Sequence, residues 1–196
     1  MSSKTLRTTS SPLSRILPAA QFSEYHSGVV EAPIQTVWAA LHGLRWSDLR
    51  IGGPLMALRG LLTPLGQDRL LETFVKRAGA IKVDDAPHST LLVMIGKPWS
   101  PVPQHERVSS VAEVEAFDAP GWLKYGMEWQ LHSLPGNRTL VETRTLCRAT
   151  DPAARRMFRC YWTIIRVFSG LLRLDIIASL RRLSRDLGGA ATGRGD

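Results

Sequence analysis

The chain is poor in cysteine, has no long apolar run and shows no clustered metal-ligand pattern. Two cysteines in 196 residues, Cys147 and Cys160, cannot make a disulfide framework, and no Cys-x-x-Cys occurs. Free thiols in a reducing cytoplasm are therefore expected. No stretch reaches about 18 apolar residues, which argues against a membrane-spanning helix. The opening residues lack the apolar block of a secretory signal. The histidines, His26, His42, His88, His105 and His132, share no ligand spacing, so no metal and no other cofactor is expected. No Ser-His-Asp or Cys-His spacing can be defended, and no catalytic residue is assigned.

What the chain does have is positive charge, and its location matters. The formal net charge is +8. Residues 152–186 hold eight arginines against Asp175 and Asp186, and residues 1–20 hold Lys4, Arg7 and Arg15 with no acid. The body, residues 21–151, is close to neutral. Basicity confined to the ends points to a local anionic contact or a solvated helix face, and no nucleic-acid-binding motif accompanies it. Arg155, Arg159 and Arg166 are candidates for peripheral contact with an anionic membrane. The oligomeric state is left open.

Residues 1–20, rich in Ser and Thr with Pro12 and Pro18, read as a disordered leader. Residues 21–187 read as one domain, long enough for a sizeable core at 44% hydrophobic composition. Residues 188–196, rich in glycine, read as a flexible tail. Within the domain, Phe22–Val30 is a strand. Ile34, Val37, Trp38 and Leu41 then recur at helical spacing, and a second short helix is expected over Pro54–Leu62. Strand-like runs follow over Leu70–Val83, Leu91–Ile95 and Val108–Phe117.

Trp122–His132 alternates clearly. Leu123, Tyr125, Met127, Trp129 and Leu131 share one face, the other is mostly polar, and Gly126 marks a bend or bulge. Pro135-Gly136-Asn137 turns the chain, and Thr139–Ala149 returns antiparallel. Asp151 supplies an N-cap carboxylate and Pro152 the first helical position. Phe158, Tyr161, Trp162, Ile164, Ile165, Phe168 and Leu172 then form one helical face, with a kink or break at Ser169-Gly170.

Five pieces carry a resemblance: Val30-Glu-Ala-Pro-Ile-Gln-Thr-Val-Trp38, Phe117-Asp-Ala-Pro-Gly121, Val141-Glu-Thr-Arg-Thr145, Ala149-Thr-Asp-Pro-Ala-Ala-Arg155 and Tyr161-Trp-Thr-Ile-Ile-Arg166. With the order of elements, the chain resembles the START-like (SRPBCC) superfamily, in particular a bacterial subgroup, over roughly residues 22–186. Val167 departs from the proline expected in that subgroup. The resemblance implies an α+β helix-grip fold, a curved antiparallel sheet wrapped around the long C-terminal helix over a hydrophobic cavity. Members bind lipids, sterols, polyketides or hormones, and some are aromatases or cyclases.

On that fold, Tyr125, Met127, Trp129, Phe158, Trp162 and Ile165 would line the cavity; the alternative is a filled core of the same residues. Glu142 and Arg144 share a strand face and would orient a ligand's polar end if that face looks inward. The opposite face is Val141, Thr143, Thr145 and Cys147, and the sequence leaves the two open. His132 with Glu128 is an acid–base pair on one strand face. The expected function is binding or carriage of a hydrophobic small molecule or lipid. The alternatives are a polyketide cyclase-like or hydrolase-like enzyme using the same cavity, or a docking module acting through the arginine-rich helix.

Overall fold

The computed structural model describes residues 11–52 and 67–192. Six antiparallel strands form one sheet, β1 (Phe22–Val30), β2 (Ile81–Asp85), β3 (Ser89–Lys97), β4 (Gln104–Glu106), β5 (Leu123–Leu134) and β6 (Arg138–Ala149). Their order is β1-β6-β5-β3-β2, with β4 paired to β3. Among the described residues five α-helices accompany them, α1 (Pro12–Ile16), α2 (Ile34–Gly43), α3 (Leu70–Ala78), α4 (Val111–Ala116) and α5 (Pro152–Thr192), with a short 3-10 turn at Trp46–Asp48. The sheet is curved, and α5 lies in its concavity against β1 and β6 with α2 alongside. The fold is α+β and of the helix-grip type.

The β5–β6 hairpin is its spine. Leu123 pairs with Ala149 and Leu134 with Arg138, and Gly136 and Asn137 turn the chain with positive φ. Just beyond it, the Asp151 carboxylate accepts the N–H groups of Ala153 and Ala154 at 2.7 and 3.0 Å, capping α5. Its other oxygen accepts the Gly121 N–H. One side chain thus ties the start of α5 to the start of β5. These N–H donors hold the Asp151 carboxyl below its ordinary range.

The concave core joins Ile34, Val37 and Leu41 of α2 to Trp129, Leu131 and Val141 of the sheet and Ile176 and Leu180 of α5. A second core lies on the convex face, where Leu13, Ile16 and Leu17 pack with Leu91, Val93, Ile95, Val114 and Leu146. β5 is consequently buried on both sides, Lys124 and Glu128 included.

Several expectations are corrected. The leader assignment fails over residues 11–20. Ser11 caps α1 at Ser14 N, and Leu13 is fully buried against the sheet. Leu13, Ile16 and Leu17 already stand at helical spacing beneath the Ser/Thr-rich composition. Residues 1–10 lie outside the described residues, as does the helix expected over Pro54–Leu62. The first half of the strand run Leu70–Val83 is α3, ended by Gly79 in the left-handed conformation at φ 62°. The run Val108–Phe117 contains α4, started by Ser110 with Glu113 three residues on.

Ladder pairing through Gly126 continues on both sides, so no bulge interrupts it. The glycine is needed because a Cβ there would lie 2.6 Å from Leu13 Cδ1 and 2.7 Å from Leu92 O. Finally, no break interrupts α5 at Ser169-Gly170, and its backbone stays helical through Thr192, into the segment expected to be a flexible tail.

Leu13→Ala should lower the unfolding free energy by about 2–5 kcal/mol, measured by urea denaturation. A loss below about 0.5 kcal/mol, the size of a surface change, would return this segment to an unattached leader.

Candidate functional site

The register of three strands decides which side chains look at α5. Glu24 pairs with Thr145 and Thr145 with Met127; His26 pairs with Thr143 and Thr143 with Trp129. Adjacent paired residues project to one face, so each row points its β1, β6 and β5 side chains together into the concavity. α5 presses Arg173 onto these rows. Its terminal nitrogens donate to Thr143 Oγ1 at 3.3 Å and Thr145 Oγ1 at 2.9 Å. Its guanidinium carbon stands 4.9 Å from the Trp129 ring centroid.

Arg173 is only 3% exposed and Glu24 only 8%. Burial lowers the Arg173 pKa to about 10, opposed by the nearby Glu24 charge, so the side chain remains a cation at neutral pH. Glu24 Oε1 meets His26 Nε2 at 2.8 Å. Three buried atoms of this centre, Glu24 Oε2, Arg173 Nε and Trp129 Nε1, have no hydrogen-bond partner among the described residues. A buried polar atom left unpaired costs about 1–3 kcal/mol, more when charged, which makes three in one place unusual for a structural core.

Gly170 explains the Ser169-Gly170 pair. A Cβ at position 170 would lie 3.0 Å from Glu24 Oε1 and 3.6 Å from the His26 ring. The glycine lets the helix pass close over this polar pair.

The packing changes character along α5. Towards its start, four rings gather around Phe158: Phe22 at 4.8 Å, Trp162 at 5.6 Å, Tyr161 at 5.8 Å and Trp99 at 6.0 Å between centroids. Tyr161, Trp162, Ile165 and Phe168 are only half-buried. Beyond Arg173 the helix turns aliphatic, with Ile176, Ile177 and Leu180 buried. The arrangement is an aromatic, partly open end and a closed polar centre.

The inward residues expected from sequence divide accordingly. Met127, Trp129 and half-buried Tyr125 line the concave face, with Tyr125 touching both the main core and the aromatic cluster. Phe158 and Trp162 belong to the aromatic cluster, and Ile165, about one turn later, is half-buried. Glu142 and Arg144 are not among them. They sit on the convex face, where Glu142 accepts from the Tyr25 hydroxyl and meets His132 Nε2 at 2.8 Å. Arg144 reaches Ser11 Oγ at 3.4 Å there. The face that lines the concavity is Val141, Thr143, Thr145 and Cys147, because the pairing with β1 and β5 fixes it. The depression beside Glu142, bordered by Tyr25, Glu128, Gln130, Thr143 and Arg144, has room for about one water at roughly 10 Å³. Burial and the Glu142 carboxylate raise the Tyr25 pKa. The pair His132 and Glu128 does not form, since His132 bonds Glu142 and Glu128 accepts from Gln130.

Sequence reasoning missed Glu24, His26 and Arg173. The alternation Glu24, His26, Gly28 on one strand was a legible signal, but the sequence does not say which face of that strand looks inward. Among the described residues, no group of three His, Cys, Asp or Glu side chains is placed to hold a metal ion. No helix there is long and apolar enough to cross a membrane.

With this geometry, comparison with known proteins adds remote likenesses. No protein-family model matches the chain, and no curated protein does. Among solved structures, a conserved protein from Geobacillus kaustophilus is 11% identical, with TM-score 0.44, covering 84% of this chain and 96% of that one. The aromatase/cyclase Zhui from Streptomyces sp. R1128 is 13% identical, with TM-score 0.35, covering 85% and 95%. The di-domain aromatase/cyclase StfQ of the steffimycin biosynthetic pathway is 9% identical, with TM-score 0.38; the match covers 85% of this chain and 51% of that protein.

Burial raises the Cys147 thiol above its ordinary pKa, whereas Cys160 is exposed. A disulfide reagent should therefore label one thiol quickly in the native protein, and Cys160→Ser should abolish that phase. Two fast thiols would show that the concave face is open to solvent at Cys147.

Proposed function

We propose that the protein binds or carries an amphipathic small molecule or lipid between the sheet and α5. Its apolar body would lie against Phe22, Tyr125, Phe158, Trp162 and Ile165, and its polar end would meet Arg173, Glu24 and Trp129. The observation that carries this reading is the trio of buried, unpartnered polar atoms beneath α5, next along the helix to a half-buried aromatic cluster. Apolar walls with a few convergent polar groups are what small-molecule sites are made of. Donors on Arg173 and Trp129 beside an acceptor on Glu24 suit a head group that both accepts and donates hydrogen bonds.

A second reading, cyclase-like or hydrolase-like catalysis, is favoured by one observation. His26 and Glu24 form a bonded histidine–carboxylate pair at the edge of the same space, as general acid–base chemistry requires. Binding stays first because the unpartnered donors and acceptor lie beneath α5, whereas the only thiol beside them, Cys147, is buried with its pKa raised by that burial. Loss of an activity in His26→Gln with ligand binding intact would move catalysis ahead.

Native mass spectrometry of freshly purified protein, followed by extraction, tests the binding reading. The expected result is an organic adduct that is lost in Trp162→Ala and in Arg173→Met. A bare mass, together with no uptake of the amphipathic dye anilinonaphthalene sulfonate, would overturn it.

A further inference from the structure

Helix α5 has an apolar face on each side. The inner one grips the sheet. The outer one carries Met157, Cys160, Ile164, Val167, Leu171 and Leu174, spaced alternately by three and four residues, and all are exposed. Exposure reaches 66% at Ile164, 63% at Val167 and 53% at Leu174, which no stray surface residue explains when they stand in line. From Met157 to Leu174 the row runs about 26 Å at 1.5 Å per residue. At about 100° per residue, Arg156 stands about 50° from the centre of the row, and Arg159, Arg166 and Arg155 are exposed on one flank, about 110°, 130° and 150° round the helix from it. None of the four forms an ion pair or side-chain hydrogen bond among the described residues.

We propose that this outer face docks on an anionic lipid surface, with the apolar row in the interfacial layer and the arginines on lipid phosphates. An exposed apolar row bordered by cations is the pattern of helices that lie in a membrane interface. The charge selects this occupant over a second copy. The three-four spacing would allow two helices to pair, but pairing would bring together two stretches, residues 152–174, that each hold four exposed arginines and no acid. Asp175, moreover, is already committed to the N–H groups of Ile51 and Gly52 at 2.7 and 2.9 Å. The docking surface does not depend on the ligand reading. If both hold, half-buried Tyr161 and Phe168, between the outer row and the aromatic space, stand where a lipid-soluble ligand would enter.

Co-flotation of the full chain with phosphatidylcholine vesicles, with and without phosphatidylglycerol, tests this. The wild type should float only with the anionic vesicles, and added salt should weaken it. Arg155→Gln/Arg159→Gln/Arg166→Gln should lower partitioning on the order of a hundredfold, from three surface charges. Ile164→Ser/Val167→Ser, which leaves the inner face untouched, should lower it at least about tenfold. Failure to float, or flotation unchanged by the Ile164/Val167 variant, overturns the proposal. A concentration-dependent dimer in sedimentation velocity that this variant abolishes, without vesicle binding, would assign the face to a second copy instead.

Discussion

A guanidinium cation held against two threonine hydroxyls and the face of an indole is the contact around which this fold is arranged. Arg173 can reach Thr143, Thr145 and Trp129 only because α5 lies low in the concavity, and the helix lies low because Gly170 lets it pass over Glu24 and His26. Burying such a charge without full pairing costs several kcal/mol, which the apolar packing around it must offset. The aliphatic contacts of Ile176 and Leu180 with α2 do so on one side, and the ring cluster about Phe158 on the other. The polar centre is thus wedged between two cores, and the ring cluster, with Tyr161 and Trp162 half-buried, is the less covered of the two.

Much of this was legible in the sequence, and the reasons differ by element. The β5–β6 hairpin showed itself because alternation and Pro135-Gly136-Asn137 agree, and the start of α5 because Asp151-Pro152 supplies a cap and a first turn. The short helices were misread where a few apolar residues fit either period. Gly79 and the Ser110/Glu113 pair, which settle the matter, are single-residue signals inside longer apolar runs. β5 looked half-exposed because a strand's polar face says nothing about what covers it. Here Leu13, more than a hundred residues away in sequence, packs over Gly126.

The candidate site was legible only in its apolar half. Met127, Trp129, Phe158 and Trp162 advertise themselves by size and spacing. Glu142 and Arg144 drew attention as a charged pair on one strand, but the parity of the β1–β6 and β5–β6 pairing turns them outward. Glu24 and Arg173 face inward, against the general rule that charges avoid cores. Sequence reasoning fails where a protein departs from that rule, and such departures gather at functional sites.

The central claim is that Arg173 and Glu24 are kept for a ligand and not for stability, and unfolding free energies of three proteins test it. Arg173→Met alone takes away the cation near the buried Glu24 carboxylate, leaving it His26, and should lose about 3–5 kcal/mol relative to wild type. Arg173→Met/Glu24→Leu removes both buried charges and leaves His26 near enough to solvent to be satisfied. It should recover to within about 1 kcal/mol of wild type or exceed it, while no longer taking up an amphipathic dye. A double variant at least as unstable as the single one would make the pair a structural element and contradict the account.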